Sequence, residues 1–219
     1  MPKLKTINLP VSLSKMAYDA LRESILSGQL KPNEMYNEMA LAKELGISRT
    51  PVREALLELS SQSLITFLPR RGVQVNNFST QDVEEIFELR LALELSTVEK
   101  LARFPEKLDF RPAEKALSEQ RRVANKKDYL AFLEADRVFH LSFSHLSQNR
   151  RFVAILENVR DILHLMGRTA LATEGRFDLV IEEHQKVLEA VRRGDPKGAR
   201  AAMKNHLLRS KEAVLLGRL

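Results

Sequence analysis

The chain has 219 residues, 44% of them hydrophobic and 29% charged, with a formal net charge of +6. That is an ordinary globular balance, long enough for one large core or two smaller ones. The absence of cysteine excludes disulfide frameworks, thiolate metal sites, iron–sulfur clusters and cysteine nucleophiles, and no apolar run reaches the ~18 residues of a membrane-spanning helix. Met1–Pro10 lacks the continuous apolar stretch of an export signal, so the expected location is cytoplasmic. Residues 1–77 carry ten Lys/Arg and seven Asp/Glu (10 − 7 = +3), and the rest carry 25 and 22 (25 − 22 = +3). Charge alone therefore does not mark out a nucleic-acid module.

Five of the eight prolines fall in the first 77 residues, which read as short elements and turns. Tyr18, Leu21 and Ile25 recur at helical spacing, predicting a helix from about Ser14 to Ser27, with Gly28 ending it. Lys31-Pro32-Asn33 is a turn. A second helix, about 38–45, would bury Leu41 and Leu45 and stop at Gly46. Ser48 would cap a third, with Pro51 in its first turn and Val52, Leu56 and Leu59 as its apolar stripe. Two β-type runs, 64–67 and 73–75, are joined by Pro69-Arg70-Arg71-Gly72 as a hairpin.

Helix, turn, helix and a two-stranded wing predict a winged helix-turn-helix. Arg49 and Arg53, four apart, share one face of the third helix, away from Val52, Leu56 and Leu59. Such a helix suits the major groove, with its arginines at guanine edges or phosphates. Ser48 and Thr50 would meet phosphates at the helix N-terminus, and Arg70, Arg71 and Gly72 form a basic wing tip where a glycine allows close backbone approach to DNA. The same arginines on an isolated helix would read as a solvated face paired to Glu54 or Glu58.

Asn76-Asn77-Phe78 looks like a hinge, and Ser79 with Asp82 resembles a capping box opening a long acidic helix. Further helices are expected at about 111–124, 127–147, 150–171, 176–193 and 196–217, six in all, broken at Pro105, Pro112, Gly175 and Gly194-Asp195-Pro196. The fold class expected is mainly α, with a domain at 1–77 and an all-helical domain at 78–219.

Three helices in the second half each place a polar, metal-capable group on a stripe that should be core. His140 follows Asp136 by one turn among Phe132, Phe139 and Phe143; His184 interrupts Val180, Ile181, Val187, Leu188 and Val191; His206 interrupts Ala199, Met203, Ser210 and Ala213. Two readings stand: hydrogen-bonded core histidines, or a divalent ion shared by all four groups, since each buried polar group needs a partner. Zn, Ni, Fe and Mn all suit such a nitrogen/oxygen set. His145 and His164 fall off the apolar stripes and read as surface or boundary residues. Arg90, on the stripe of Val83, Ile86 and Phe87, needs a carboxylate: Glu94 one turn on, or an anionic ligand. Arg137 and Arg160 are further candidates for holding that ligand.

The run Leu41-Ala-Lys-Glu-Leu-Gly-Ile-Ser-Arg-Thr-Pro-Val-Arg-Glu-Ala-Leu56, with Leu30-Lys-Pro before it and Arg71-Gly72-Val73 after it, resembles the DNA-binding domain of GntR-type bacterial transcription regulators. The resemblance implies recognition contacts from Ser48, Arg49, Thr50 and Arg53, and a wing around Gly72. It departs at Met39, where many members carry a DNA-contacting arginine. Glu88-Leu-Arg90-Leu-Ala-Leu-Glu94, Asp136-Arg-Val-Phe-His140, Glu183-His184 and Asn205-His206-Leu207 resemble the FCD effector domain of the FadR-like branch, and six helices resemble its VanR-like subgroup. That likeness implies an effector and dimerisation domain at 78–219, with a metal at Asp136, His140, His184 and His206, Zn or Ni ahead of Mn or Fe, and a small organic acid beside it near Arg90, Glu94, Arg137 and Arg160. The function implied is a ligand-responsive repressor, acting as a homodimer on a near-palindromic DNA operator. The alternative is a metal-dependent enzyme built on the helical bundle, which would leave the first half without a role.

Overall fold

The computed structural model describes residues 11–171 and 175–217, with backbone alone for 167–170. The expectation about an export signal at Met1–Pro10 lies outside the described residues. The chain divides into two compact units, Met1–Asn77 and Phe78–Leu219.

The first unit holds helices α1 (Leu13–Leu26), α2 (Glu38–Glu44) and α3 (Arg49–Ser61) and strands β1 (Met35–Tyr36), β2 (Ile65–Leu68) and β3 (Gly72–Val75). Ser12 caps α1 by accepting from Lys15 N, and Asn37 caps α2 by accepting from Met39 N and Ala40 N. Gly46, at φ +67°, lets the chain leave α2 in a left-handed turn closed by Ile47 N to Ala42 O at 3.1 Å. Leu41 is buried there, whereas Leu45 is only partly covered because the helix ends one residue before it. Val52, Leu56 and Leu59 are fully buried against α1.

The sheet has three strands in the order β1-β3-β2, all antiparallel, with Ile65 opposite Val75 and Tyr36 opposite Val73. The hairpin was expected; β1 was not, because two residues are too short to show an alternating pattern. Gly72 is at φ +109°, and a Cβ there would lie 2.3 Å from Tyr36 O. It makes a close approach within its own sheet: the glycine lets β1 pair with β3.

The second unit contains α4 (Thr80–Leu101), α5 (Arg111–Ala124), α6 (Tyr129–Leu146), α7 (Arg150–Ala170), α8 (Arg176–Arg192) and α9 (Pro196–Leu216). These are its α-helices among the described residues, and a 3-10 turn at Pro105–Lys107 follows α4. Ser79 and Asp82 form the reciprocal capping box at the start of α4. Helix α6 begins two residues later than its pattern suggests: Lys127 is left-handed at φ 53°, and Asp128 supplies the cap by accepting from Ala131 N. Asp195 caps α9, with Pro196 following in the first turn. Helix α9 packs on α4 and α8, and α5 on α6. Phe132, Phe139 and Phe143 sit in the core with Val187, Val191, Met203 and Leu207; each such side chain contributes roughly 1.5–3 kcal/mol by burial. No described helix is long and apolar enough to cross a membrane.

Candidate functional site

In the first unit, Ser48 occupies the cap position of α3, but its hydroxyl makes no capping hydrogen bond. With Arg49 and Thr50 it is exposed at the helix start, where unpaired N–H groups attract anions. Arg49 and Arg53 are both exposed, on the flank of α3 beside the buried Val52, Leu56 and Leu59. Their partner is neither Glu54 nor Glu58 but Glu38, on α2: Arg49 Nε donates to Oε2 at 3.0 Å, and Arg53 Nη1 donates to Oε1 at 3.0 Å and Oε2 at 3.3 Å. An open groove of about 440 Å³ runs from Glu38 and Met39 past both arginines to Arg70, Arg71 and Gly72 at the wing. Every residue expected to contact DNA from α3 except Ser48 and Thr50 lines it, and exposed Met39 stands in its wall.

In the second unit, α6, α8 and α9 bring Asp136, His140, His184 and His206 together, with one ligand atom from each within 4.8 Å of all the others. The three Nε2 atoms form a triangle: His140 to His206 3.1 Å, His140 to His184 3.2 Å, His184 to His206 3.3 Å. Asp136 Oδ1 is 3.4 Å from His184 Nε2 and 3.8 Å from His140 Nε2.

The outer nitrogens determine what the inner ones offer. His140 Nδ1 donates to Glu94 Oε2, His184 Nδ1 to Gln120 Oε1 at 2.8 Å, and His206 Nδ1 to Glu183 Oε2 at 2.9 Å. Carboxylate and amide carbonyl oxygens only accept, so these hydrogen bonds fix the Nδ1–H tautomer and leave a lone pair on each Nε2. Burial holds His140 neutral by pushing its pKa down to about 3, with Arg160 adding to the effect. Burial also holds His184 well below its ordinary value and lowers His206. Three lone pairs and a carboxylate oxygen face one another without a proton among them. Ligand atoms about 2.0–2.1 Å from one Zn lie at most ~4 Å apart, so these separations fit a shared cation.

Arginines surround the cluster. Arg90 Nε donates to Glu94 Oε1 at 2.6 Å, Arg160 Nη1 to Asp136 Oδ2 at 2.7 Å, and Arg176 Nη1 to Glu183 Oε1 at 3.1 Å. Each of these three acids therefore serves a histidine or the cluster with one oxygen and an arginine with the other. Burial would push Glu94 up, but Arg90, His140 and Arg160 hold it well below the usual carboxylate range. Asp136 is lowered against burial chiefly by Arg160, and Glu183 by its hydrogen bond to His206. Arg160, lowered by burial and by Arg90 to about 10, remains a cation at neutral pH.

A cavity of about 60 Å³ adjoins the cluster, lined by Arg90, Asp136, Arg160, Arg176, His206 and Ser210 on its polar side and by Phe87, Phe132 and Leu163 among its apolar residues. Two expected residues do not line it. Arg137, one position and so about 100° round from Asp136, turns to the surface and pairs with Glu134 at 3.0 Å. Glu94 is committed on both oxygens to Arg90 and His140. Arg176 and Glu183 were missed as site residues; a charged pair on an otherwise apolar helix face was the available signal. His145 is exposed as expected. His164 is not: it is 8% exposed, because α7 is covered on a broad arc from Val159 to Leu163 rather than on one narrow stripe.

A winged helix joined in sequence to an all-helical unit with a convergent histidine cluster is the make-up of a bacterial transcription regulator. Residues 13–75 match the gntR family of bacterial regulatory proteins, and residues 85–209 match the FCD domain. The chain belongs to the GntR family of transcription regulators, with a C-terminal FCD domain. It is 29% identical over 192 residues to the uncharacterised HTH-type regulator YdhC of Bacillus subtilis, covering 87% of this chain and 84% of that one. It is 30% identical over 190 residues to the gluconate operon transcriptional repressor of the same species, covering 83% and 76%. The structure of Escherichia coli McbR/YncC superposes with a TM-score of 0.82 at 24% identity, over 96% of this chain and 100% of that one. The matched families and curated relatives are regulators, and the enzyme alternative is set aside.

Proposed function

We propose that the chain is a ligand-responsive repressor that holds a divalent metal at Asp136, His140, His184 and His206 and a small organic acid in the adjoining cavity, and that the acid alters operator affinity. The observation that carries this reading is the triangle of Nε2 lone pairs, 3.1–3.3 Å apart and fixed by outward Nδ1 hydrogen bonds. Zn or Ni suits three imidazoles and one carboxylate, with Mn and Fe within range. When bound, the ion supplies a fixed positive charge beside the cavity.

The organic acid is supported by a second observation. Arg160 is buried and lines the cavity; its Nε has no hydrogen-bond partner, and its Nη2 has only a longer ion-pair contact, 3.5 Å to Glu94 Oε2. These two donors form the edge of a guanidinium that takes a carboxylate bidentately. Arg90, Arg176 and Ser210 are the other polar groups for the ligand. A water needs about 10–15 Å³ measured this way, so a cavity of about 60 Å³ suits an acid of a few carbons. The three bridging carboxylates join each cavity arginine to the histidine cluster, so metal and acid should raise or lower each other's affinity reciprocally.

On the DNA side, Arg49 and Arg53 read base edges or phosphates, Ser48 and Thr50 meet phosphate at the start of α3, and Arg70 and Arg71 contact the backbone or minor groove from the wing. Gly72 supports that wing through its pairing with β1. Each winged helix of a homodimer reads one half of a near-palindromic operator. The acid shifts binding only by favouring one arrangement of the two heads over another. Repression follows the curated gluconate operon relative, the six-helix second unit supports the VanR-like subgroup, and a genomic DNA target places the protein in the cytoplasm.

The test is fluorescence anisotropy of the full chain on a duplex it selects from a randomised pool, with mono- and dicarboxylates of two to six carbons added. At least one acid should weaken operator binding by about tenfold or more, within the 5–150-fold range typical of coupled sites, and chelation should abolish the response. If no acid alters binding with metal present, the effector reading fails.

A further inference from the structure

Among the described residues of Met1–Asn77, Glu38 is the charged side chain that is buried, at 8% exposure. Its carboxylate takes Arg49 Nε and Arg53 Nη1 and holds both guanidinium groups at 3.0 Å. Neither arginine makes another hydrogen bond or ion pair among the described residues, although their side chains are 58% and 54% exposed. Arg53 also lies over the Phe67 ring of β2, 6.0 Å from its centroid. Exposed arginines ordinarily sample many rotamers; these two are held by one shared acid. The contact leaves Arg53 with its Nε–Nη2 edge, the pair of donors that matches guanine O6 and N7. Arg49 keeps both Nη groups.

Resting on the operator reading above, we propose that Glu38 is a positioning residue for sequence readout. It orients Arg49 and Arg53 before DNA arrives, and its negative charge holds down affinity for DNA of any sequence. The two effects have opposite signs when Glu38 is removed. Freed guanidinium groups must be ordered on the operator, which weakens specific binding. One extra net positive charge on the DNA-facing surface strengthens contact with any phosphate backbone. A Glu38 that merely ties α2 to α3 would instead lower stability and both affinities together.

The experiment compares the full-length wild type with Glu38→Gln on two probes: the duplex selected by the wild type from a randomised pool, and an unrelated duplex of equal length. For Glu38→Gln, operator affinity should fall about tenfold, since a bidentate arginine–base contact discriminates by that order or more. Affinity for the unrelated duplex should rise about two- to threefold, with its salt dependence steepened by up to about one unit of slope. Glu38→Asp separates the causes: it keeps the charge but shortens the reach, so it should lose operator affinity while binding the unrelated duplex as wild type does. An unchanged affinity ratio, or parallel loss on both probes, overturns the proposal. Should Glu38→Gln fail to fold, the ratio measured for Glu38→Asp decides in the same way. If the wild type selects no sequence, the operator reading falls and this inference with it; if it selects one that Arg49→Ala cannot bind but Glu38→Gln binds with full discrimination, only the inference falls.

Discussion

The two units use arginine in opposite ways. In the first, Arg49 and Arg53 stand half in solvent and share one buried acid on a neighbouring helix. In the second, Arg90 and Arg160 are themselves buried, and each is tied to an acid whose other oxygen faces the histidine cluster. An exposed guanidinium on a helix can meet a partner as large as a duplex. A buried one beside a small cavity can meet only a small anion. Under the proposed function the same residue type thus serves two different partners, and burial decides which.

The largest expected contrast is in response to metal. Chelation should leave the first unit unaffected and lower the melting temperature of the second by about 10 °C. That figure assumes ~4 kcal/mol from a ligand at about a thousand times its Kd and about 2–4 °C per kcal/mol for a chain of this length. Calorimetry with and without chelator reads both transitions, and equal shifts would break the contrast.

Acid should separate the units in the same direction. All five histidines lie at or beyond position 140. Burial puts His140 at about 3 and lowers His184 and His206 from 6.5. The unfolded chain therefore binds protons first as pH falls, so the stability linked to these groups is complete above about 6.5 and is lost progressively toward 3. Urea midpoints of the chelated protein should fall with pH for the helical unit. A flat profile there would mean the histidines are not held neutral.

Loss of direct DNA contacts should follow from changes in the first unit. Arg49→Ala and Arg53→Ala should each cost roughly 1–3 kcal/mol of operator affinity, leaving metal content and folding intact. Gly72→Ala should destabilise the first unit by about 1–3 kcal/mol, because its Cβ would meet Tyr36 O at 2.3 Å. Thermal unfolding checks this, and an unshifted first transition would show that β1 pairing does not depend on the glycine. The smallest effect is expected at Arg137→Ala, an exposed i, i+3 pair with Glu134, whose loss should change stability by less than about 1 kcal/mol and leave metal and acid responses as they were.

The contrast also explains what could be read in advance. The residues of α3 proposed to face DNA lie in one contiguous string, so helix periodicity, a capping serine and a glycine turn suffice to place Arg49 and Arg53 on one face. The histidines lie on three helices, and what reveals them is a polar residue on each apolar stripe. That signal identified all four cluster residues but could not supply their outer partners. Gln120, Glu94 and Glu183 reach the imidazoles from other helices or from positions whose roles emerge only when the helices pack. Arg137 was misplaced because adjacent positions on a helix diverge by about 100°, and Glu38 was overlooked because a single acid in a helix first turn resembles an ordinary favourable charge there.

The central claim is tested most directly by elemental analysis of the purified, untagged chain beside the Asp136→Ala/His184→Ala variant. The account predicts about one divalent ion per wild-type chain, as expected for a site with four preformed ligands, and none in a variant that keeps its helical content. Failure of the wild type to retain a stoichiometric ion after dialysis against zinc or nickel, or equal metal in the variant, would contradict it.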